Sequence, residues 1–208
     1  MTDTFQNLPG EKQNRILRAA GDEFARHGYE RAKMSEIAAA AKVSVGSLYK
    51  YFDDKQDMYL EVIHSSIAEM ERLLTILSRT DDDILRKAER IIREIQRSAR
   101  KDPLLLKLYA GAMAQNSPAM AARFAHEIET TTARIYCQAI REAQLAGEVR
   151  ADIDPDFSAF LLHSLFMMLQ FSYACEYHME RMKIYAGNES RDDFVVEQML
   201  KFIKTGLR

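Results

Sequence analysis

The sequence predicts an all-α fold of about nine helices, in which a small amino-terminal head precedes a larger helical part. Apolar residues recur at helical spacing, and no stretch shows a convincing strand pattern. Proline in a first turn, after a capping residue, marks helix starts at Asp102-Pro103, Ser117-Pro118 and Asp154-Pro155. Glycines that suit a left-handed helix end lie at Gly28, Gly147 and Gly187. The predicted helices span 11–27, 35–41, 45–51, 55–78, 83–101, 103–115, 118–146, 155–182 and 191–205.

Length and composition favour a folded protein of the cytoplasm. The 208 residues are 47% hydrophobic, which is enough for one large or two small domains. We find no apolar run of the ~20 residues that span a bilayer, and the start MTDTFQNLPGEK does not resemble a secretory signal. We therefore expect no membrane partner. Cys137 and Cys175 lie in apolar helical stretches, which favours buried reduced thiols over a disulfide or a metal site.

The stretch from Met34 to Phe52 predicts a helix, a tight turn and a second short helix. Four consecutive alanines after Ile37 favour the first helix and allow close packing against it. Ser44 is suited to cap the second helix, because its oxygen can accept a hydrogen bond from a first-turn amide. This layout is typical of modules that place the second helix in a DNA groove.

The second helix has two different sides. At about 100° per residue, Leu48 and Phe52 share one side, and the opposite side carries Gly46, Ser47 and Lys50, with two tyrosines on the flanks. Cations and hydroxyls suit phosphate oxygens, and serine and lysine also suit base edges. On this stretch alone, an aromatic core with Lys50 in solvent is an equally good interpretation.

The longer span from Ile16 to Tyr59 resembles the tetracycline-repressor (TetR) family of bacterial transcription regulators. The matching pieces are Ile16-Leu17, Ala19-Ala20, Phe24-Ala25, His27-Gly28-Tyr29, Ile37-Ala38, Val43-Ser44, Gly46-Ser47-Leu48-Tyr49, Tyr51-Phe52 and Lys55. The resemblance implies a DNA-binding head at 1–52 and a helical regulatory, ligand-binding and dimerisation domain at 53–208. It implies a homodimeric regulator, most simply a repressor that binds a palindromic operator and is released by an inducer.

Two positions depart from the family pattern. Lys42 stands where the family often has glycine in the turn, and a left-handed backbone there costs a lysine about 1 kcal/mol. Ala32 and Lys33 stand where the family often has a capping Thr or Ser, and we expect Ser35 to take over that cap and start the helix slightly later. Lys33 also adds a cation within reach of a phosphate.

The predicted DNA-binding residues combine this resemblance with the outward side of the second helix. We expect Val45, Gly46, Ser47 and Lys50 to face the groove, and Ser44 to cap the helix and approach a phosphate. The residues expected to hold the DNA backbone are Lys33, Tyr49, Tyr51 and Lys55. A second cationic surface, on the helix at 83–101, consists of Arg86, Arg90, Arg93, Arg97 and Lys101. We interpret it as a solvated face paired with Glu89 and Glu94, the alternative being further nucleic-acid binding.

The segment from Phe157 to Tyr185 is apolar nearly all round and must be covered on every side. The resemblance implies that the last two long helices, 155–182 and 191–205, form the homodimer interface. It also implies a cavity for a small, largely apolar effector, since methionine and aromatic side chains suit such pockets. Its predicted lining is Tyr109, Met113, Phe124, Tyr136, Phe160, His163, Met167 and Phe171, for each of which ordinary core packing is the alternative.

An enzyme is the competing class. His126-Glu127 lacks the second histidine of a helical zinc site, and Glu176 and His178 point to different sides of a helix. We find no glycine-rich phosphate loop and no Gly-x-Ser-x-Gly motif. We therefore expect no enzyme activity, no catalytic residue, no cofactor and no metal. A ligand-independent regulator, or a protein-interaction module with the helix-turn-helix as scaffold, remains as an alternative.

Overall fold

The computed structural model describes residues 3–101, 103–113, 118–187 and 191–208. Across these ranges the chain forms eleven α-helices and no strand, so the predicted all-α class is confirmed. The helices are α1 (Asp3–Gln6), α2 (Gly10–Arg31), α3 (Met34–Ala40), α4 (Val45–Tyr51), α5 (Lys55–Leu77), α6 (Ile84–Lys101), α7 (Pro103–Met113), α8 (Pro118–Leu145), α9 (Pro155–Ala174), α10 (Glu176–Ala186) and α11 (Asp192–Leu207). The predicted caps Asp102 and Ser117 lie outside the described residues.

The helices form two compact units. Unit 1 comprises Met1–Ala68 and Leu104–Phe124, and unit 2 comprises Glu69–Pro103 and Ala125–Arg208. Unit 1 therefore extends beyond the predicted head at 1–52. The division of function at residue 52 stays a prediction.

Unit 1 has a core of aliphatic and aromatic side chains from its first helices. Ile16 and Phe24 of α2 and Ile37 of α3 are fully buried. The short helix α1, which the sequence analysis did not predict, buries Phe5 against Phe52, with the ring centroids 4.8 Å apart. One apolar residue in four gives no periodic signal, so only this packing reveals α1.

The turn between α3 and α4 has the expected left-handed residue. Lys42 has φ 54, and its amide donates to the carbonyl oxygen of Ala39 at 3.1 Å. The amide of Val43 donates to the carbonyl oxygen of Ala38 at 3.0 Å, which closes the turn. The strain of a lysine in this conformation, about 1 kcal/mol, is therefore present.

The start of α3 differs from the prediction. The helix begins at Met34, with Lys33 in extended conformation before it, so Ser35 lies inside the helix and is not its cap. No side chain caps α3. The amide of Lys33 donates instead to Glu23 Oε1 of α2, at 3.1 Å. Because the acceptor for the Lys33 amide lies ten residues earlier in the chain, the residues next to α3 do not indicate this bond.

Unit 2 is built on α6, α8, α9 and α11. Its core includes Ile92 of α6, Ile140 of α8 and Phe166 of α9, all nearly inaccessible to solvent. The exposed side of α6 carries the arginines, and the ion pairs Arg90–Asp82, Arg93–Glu89, Arg97–Glu94 and Arg100–Asp192 confirm the interpretation of a solvated, paired face. Gln96, which is buried, donates to the carbonyl oxygen of Asp192 at 3.0 Å and so joins α6 to the start of α11.

The predicted helix at 155–182 is broken. Cys175 has φ −107 and ψ 127, so α9 ends at Ala174 and α10 begins at Glu176. No residue of α10 is buried, whereas α9 buries six. In a segment that is apolar all round, the pattern of apolar and polar residues does not change at the break, so the sequence did not reveal it. Cys175 and Cys137 are half-buried rather than buried, and both are free of disulfides.

The helix α9 also corrects the expectation that no apolar run is long enough to span a bilayer. By length and composition, Pro155–Ala174 qualifies. However, Leu162, Phe166 and Leu169 of this helix belong to the core of unit 2. The core helix of a folded protein passes the same test, so we assign α9 to that core.

Candidate nucleic-acid interface

The start of α4 is fixed by the predicted cap. The amide of Ser47 donates to Ser44 Oγ at 3.0 Å, and the two serine hydroxyl oxygens lie 2.8 Å apart. Ser44 itself has extended backbone geometry, as an N-cap requires. These bonds position the first turn of α4, and a contact of the Ser44 hydroxyl with a phosphate stays a prediction.

The inward side of α4 is anchored in the core of unit 1. Leu48 and Phe52 are both fully buried, as predicted. This anchoring leaves the other side of the helix facing outward. Val45 is 39% exposed and Tyr49 is 55% exposed, and Gly46 and Lys50 are exposed as well. The structure thus brings Ser44, Val45, Gly46, Ser47, Tyr49 and Lys50 together on one outward surface, which we call the α4 face.

Gly46 places no side chain on the α4 face. A methyl group built at Gly46 would meet only Ser44 Oγ, at 3.9 Å, so the folded protein itself has room for a side chain there. Glycine inside a helix costs about 1 kcal/mol relative to alanine. The fold therefore does not require glycine at position 46.

Three other predicted DNA-binding residues lie apart from the α4 face. Tyr51 is only 7% exposed, and its hydroxyl oxygen accepts a hydrogen bond from Lys12 Nζ at 3.2 Å. The Lys55 ammonium donates to the carbonyl oxygens of Glu30 and Ala32, at 3.1 and 3.3 Å. Lys33 has an exposed side chain. A contact of these residues with the DNA backbone stays a prediction.

Two cations that the sequence analysis missed flank the helix-turn-helix. Lys12 of α2 bonds to Tyr51, and Arg15 Nε donates to the carbonyl oxygen of Ala41 at 2.9 Å, just before the turn. Both come from a helix more than 25 residues earlier in the chain. No spacing rule within 34–52 could have identified them.

The predicted effector residues are divided between the two units. Tyr109, which is buried, and Met113, which is exposed, belong to unit 1, and the side chain of Phe124 lies outside the described residues. The others belong to unit 2, where Phe160 is 61% exposed, Met167 is half-buried and Phe171 is buried against His178. These residues stay predictions.

Unit 2 contains an apolar cavity of about 30 Å³, lined by residues of α5, α6, α8 and α9. Of the predicted effector residues whose side chains the structure describes, Tyr136 is the one that lines it. The remaining lining consists of Leu74, Leu77, Ser78, Ile84, Lys87, Ala88, Ile91, Ile135, Ala139, Ile140, Leu162 and Phe166. The sequence analysis missed these residues because aliphatic lining and ordinary core have the same pattern.

A polar pair lies behind Tyr136. The Tyr136 ring stacks on His163, with centroids 5.0 Å apart, and His163 Nδ1 lies 3.6 Å from Glu129 Oε2. Burial lowers the pKa of His163, and the Glu129 carboxylate partly opposes that shift. Burial, followed by the Glu129 charge, raises the pKa of Tyr136. The tyrosine is therefore a neutral hydroxyl at physiological pH.

The capped α4, its buried inner side and the turn at Lys42 define a helix-turn-helix protein, a class that binds DNA with the second helix. The family of bacterial regulatory proteins described as the tetR family matches residues 16–62. The matched residues include the helix-turn-helix, and the match confirms the resemblance to this family found in the sequence.

Individual relatives are similar to this protein over most of the chain. The HTH-type transcriptional regulator UidR of Escherichia coli (strain K12) is 27% identical over 168 residues, which are 79% of this chain and 83% of that protein. A TetR family transcriptional regulator of Chloroflexus aurantiacus is 25% identical and covers 100% of this chain and 98% of its own, with a TM-score of 0.65. The transcriptional regulator FadR of Bacillus subtilis, in complex with stearoyl-CoA, has a TM-score of 0.75 at 16% identity, covering 94% and 99% of the two chains. These similarities confirm that the protein is a transcriptional regulator and not an enzyme.

The cap of α4 gives a first testable prediction. Ser44→Ala should lower the free energy of unfolding by about 1 kcal/mol, because a first-turn amide loses its acceptor. Ser35→Ala is the matched control, since Ser35 lies exposed inside α3 and caps nothing. It should change the free energy by no more than a few tenths of a kcal/mol. Urea unfolding monitored by circular dichroism measures both, and equal losses would contradict the assignment of the cap.

The buried histidine gives a second prediction. Because the pKa of His163 is lowered in the folded state, the unfolded chain takes up a proton first as pH falls below about 6.5. This residue should therefore contribute a loss of stability from about pH 6.5 down to its folded pKa. Unfolding free energies measured across that window should show a smaller pH dependence for His163→Gln than for the wild type. An undiminished pH dependence in His163→Gln would contradict this assignment.

Proposed function

We propose that this protein is a ligand-responsive repressor that places α4 in the major groove of an operator. The observation that carries the proposal is the α4 face: small groups, hydroxyls and one ammonium lie outward on a helix whose other side is fixed in a core. A rigid helix of this kind can present side chains to base edges without ordering them at the time of binding.

The residues of the α4 face have distinct proposed roles. Val45, Gly46, Ser47 and Lys50 approach the base edges, and Gly46 allows the backbone to come close to the DNA. Tyr49, with its exposed hydroxyl, is placed to donate to a phosphate. Lys33 and Lys12 extend the contact along the backbone, the latter together with the Tyr51 hydroxyl. Lys55 contributes mainly by holding the end of α2, to which its ammonium is bonded.

We infer that the protein acts as a homodimer through α9 and α11. Large apolar side chains are exposed on α9 at helical spacing, namely Phe157, Phe160, Leu161 and Leu165. On α11, Phe202 is 67% exposed. Exposed apolar stripes of this size mark interaction surfaces. A second copy would cover them under two-fold symmetry and hold two α4 helices at a spacing of about 34 Å, the distance of one DNA turn.

The proposed effector is a small, largely apolar molecule bound by the helices outside the DNA-binding head. The apolar cavity in unit 2 supports this proposal, as does the similarity in fold to a regulator solved with stearoyl-CoA. An effector releases DNA only if its affinity differs between the DNA-bound and the released states. The place of action is the cytoplasm, where the DNA lies.

The α4 face gives the prediction that tests DNA binding. Fragments selected from random duplex DNA by the wild type should share a two-fold symmetric site. On that site Lys50→Ala should weaken binding and lower the slope of log affinity against log salt by about one. Gly46→Ala should weaken binding without loss of stability, because the added methyl group favours the helix and obstructs only the DNA. Lys183→Ala, at a lysine of α10 paired with Glu180 in unit 2, is the control and should bind like the wild type.

Absence of any selected sequence would count against the repressor. A helical interaction module that keeps the helix-turn-helix as scaffold would then be the better interpretation. Selection that persists unchanged in Gly46→Ala and Lys50→Ala would remove the α4 face as the recognition surface while leaving DNA binding itself intact.

The exposed stripe gives a prediction on assembly. Phe160→Glu and Phe202→Glu should each shift the protein from dimer to monomer in sedimentation equilibrium, because the charge would be buried without a partner. Leu145→Glu is the matched control, since Leu145 at the end of α8 is equally apolar and 90% exposed. It should remain dimeric. A wild-type monomer at micromolar concentration would contradict the proposed dimer.

A further inference from the structure

The short helix α1 packs on the carboxyl end of α4. Its Phe5 is 1% exposed and contacts Phe52, with ring centroids 4.8 Å apart, and Tyr51, with ring centroids 6.0 Å apart. Tyr51 is the last residue of α4, and Phe52 is the C-cap. Helix α1 therefore covers the two aromatic side chains that end α4.

The Tyr51 side chain has partners in both α1 and α2. The Phe5 ring of α1 is tilted by 56° to the Tyr51 ring. Lys12 of α2 places its ammonium 5.6 Å from the centroid of the same ring and donates to the hydroxyl oxygen at 3.2 Å. An ammonium is attracted to an aromatic ring at this distance. Because Tyr51 directly follows Lys50, these contacts hold the backbone that carries the ammonium of the α4 face.

Gln13 of α2 ties α1 to the rest of unit 1. Its side-chain amide donates to the carbonyl oxygens of Gln6 and Leu8, both at 2.9 Å. The amide of Leu8 donates to the carbonyl oxygen of Phe5 at 3.0 Å. A helix of four residues is not stable on its own. The position of α1 therefore depends on the contacts of Phe5 and Gln13.

We propose that α1 holds α4 in the orientation that reads the operator, with Phe5 as the positioning residue. The proposal rests on the proposed function for its effect on operator binding. Release of α1 would uncover Tyr51 and Phe52, and a seven-residue helix with fewer anchors would adopt several orientations. Only a fraction of the molecules would then present the α4 face correctly, and the apparent affinity would fall by that fraction.

A positioning role differs from a purely structural one in its effect on different DNA sequences. Phe5 is buried and acts through Tyr51 and Phe52, so its loss changes the alignment of α4 with the base edges. Binding to unrelated sequences depends on phosphate neutralisation and needs no such alignment. Loss of the positioning residue therefore lowers the affinity for the operator alone, whereas unfolding of unit 1 lowers the affinity for both kinds of DNA.

Hydrogen exchange of the full-length protein, without DNA, tests whether α1 holds α4. The amides of residues 45–52 should exchange about tenfold faster in Phe5→Ala than in the wild type, because α4 opens locally when its cover is removed. Gln13→Ala should act in the same direction, since it releases α1 and leaves Phe5 intact. Gln144→Ala is the matched control, because Gln144 of unit 2 also donates to two main-chain carbonyl oxygens of a nearby segment. It should leave exchange in α4 unchanged.

Operator binding tests the consequence for recognition. On the site selected by the wild type, Phe5→Ala should weaken binding about tenfold, whereas its affinity for duplex DNA of unrelated sequence should equal that of the wild type. Phe5→Leu keeps an apolar side chain over Phe52 and should recover most of the loss. Gln13→Ala should also weaken operator binding. The double variant Phe5→Ala, Gln13→Ala should lose less than the product of the two single losses, because both changes release the same helix. Gln144→Ala should bind the operator like the wild type.

Exchange in α4 that stays at the wild-type rate in both Phe5→Ala and Gln13→Ala would overturn the proposal. Operator affinity that is unchanged in both variants would also overturn it, as would an equal loss for operator and unrelated DNA. If Phe5→Ala unfolds, Gln13→Ala and Phe5→Leu carry the same tests. Because the exchange measurement needs no DNA, a wild type that selects no operator would refute the proposed function, while the exchange rates would still decide whether α1 holds α4.

Discussion

The burial of Leu48 and Phe52 is the interaction on which the DNA-binding unit depends. A seven-residue helix has little stability of its own, so α4 exists because its inner side is held in the core of unit 1. That same contact fixes the rotation of α4 about its axis. The Ser44 cap fixes its start, and the strained Lys42 turn sets its direction from α3. Together they leave one defined face outward.

Unit 2 contains α9, a helix that is apolar on nearly every side. One side of this helix forms core with α6 and α11, and the other side leaves phenylalanine and leucine exposed. Two ion pairs, Arg93–Asp193 and Arg100–Asp192, join α6 to the start of α11. A single copy of the chain therefore has a well-packed interior and an incompletely covered surface, which is the arrangement that favours association with a second copy.

A few polar groups lie beside the apolar core of unit 2. His163 and Glu129 form a pair behind Tyr136. Polar groups in apolar surroundings persist only with partners or with a function. These two residues are partners to each other, which accounts for their burial beside the core of unit 2.

Local patterns in the sequence determined the all-α class, the Ser44 cap, the two sides of α4 and the paired face of α6. All of these depend on neighbours within about one helical turn, where spacing and capping rules hold. Contacts between residues far apart in the chain decided the rest: the packing of α1, the burial of Tyr51, the carbonyl partners of Lys55, the break at Cys175 and the lining of the unit 2 cavity. An apolar residue has the same local pattern in a core and in a pocket wall. Only tertiary packing determines which of the two it lines, and here the cavity is lined by Tyr136 and by residues that the sequence did not single out.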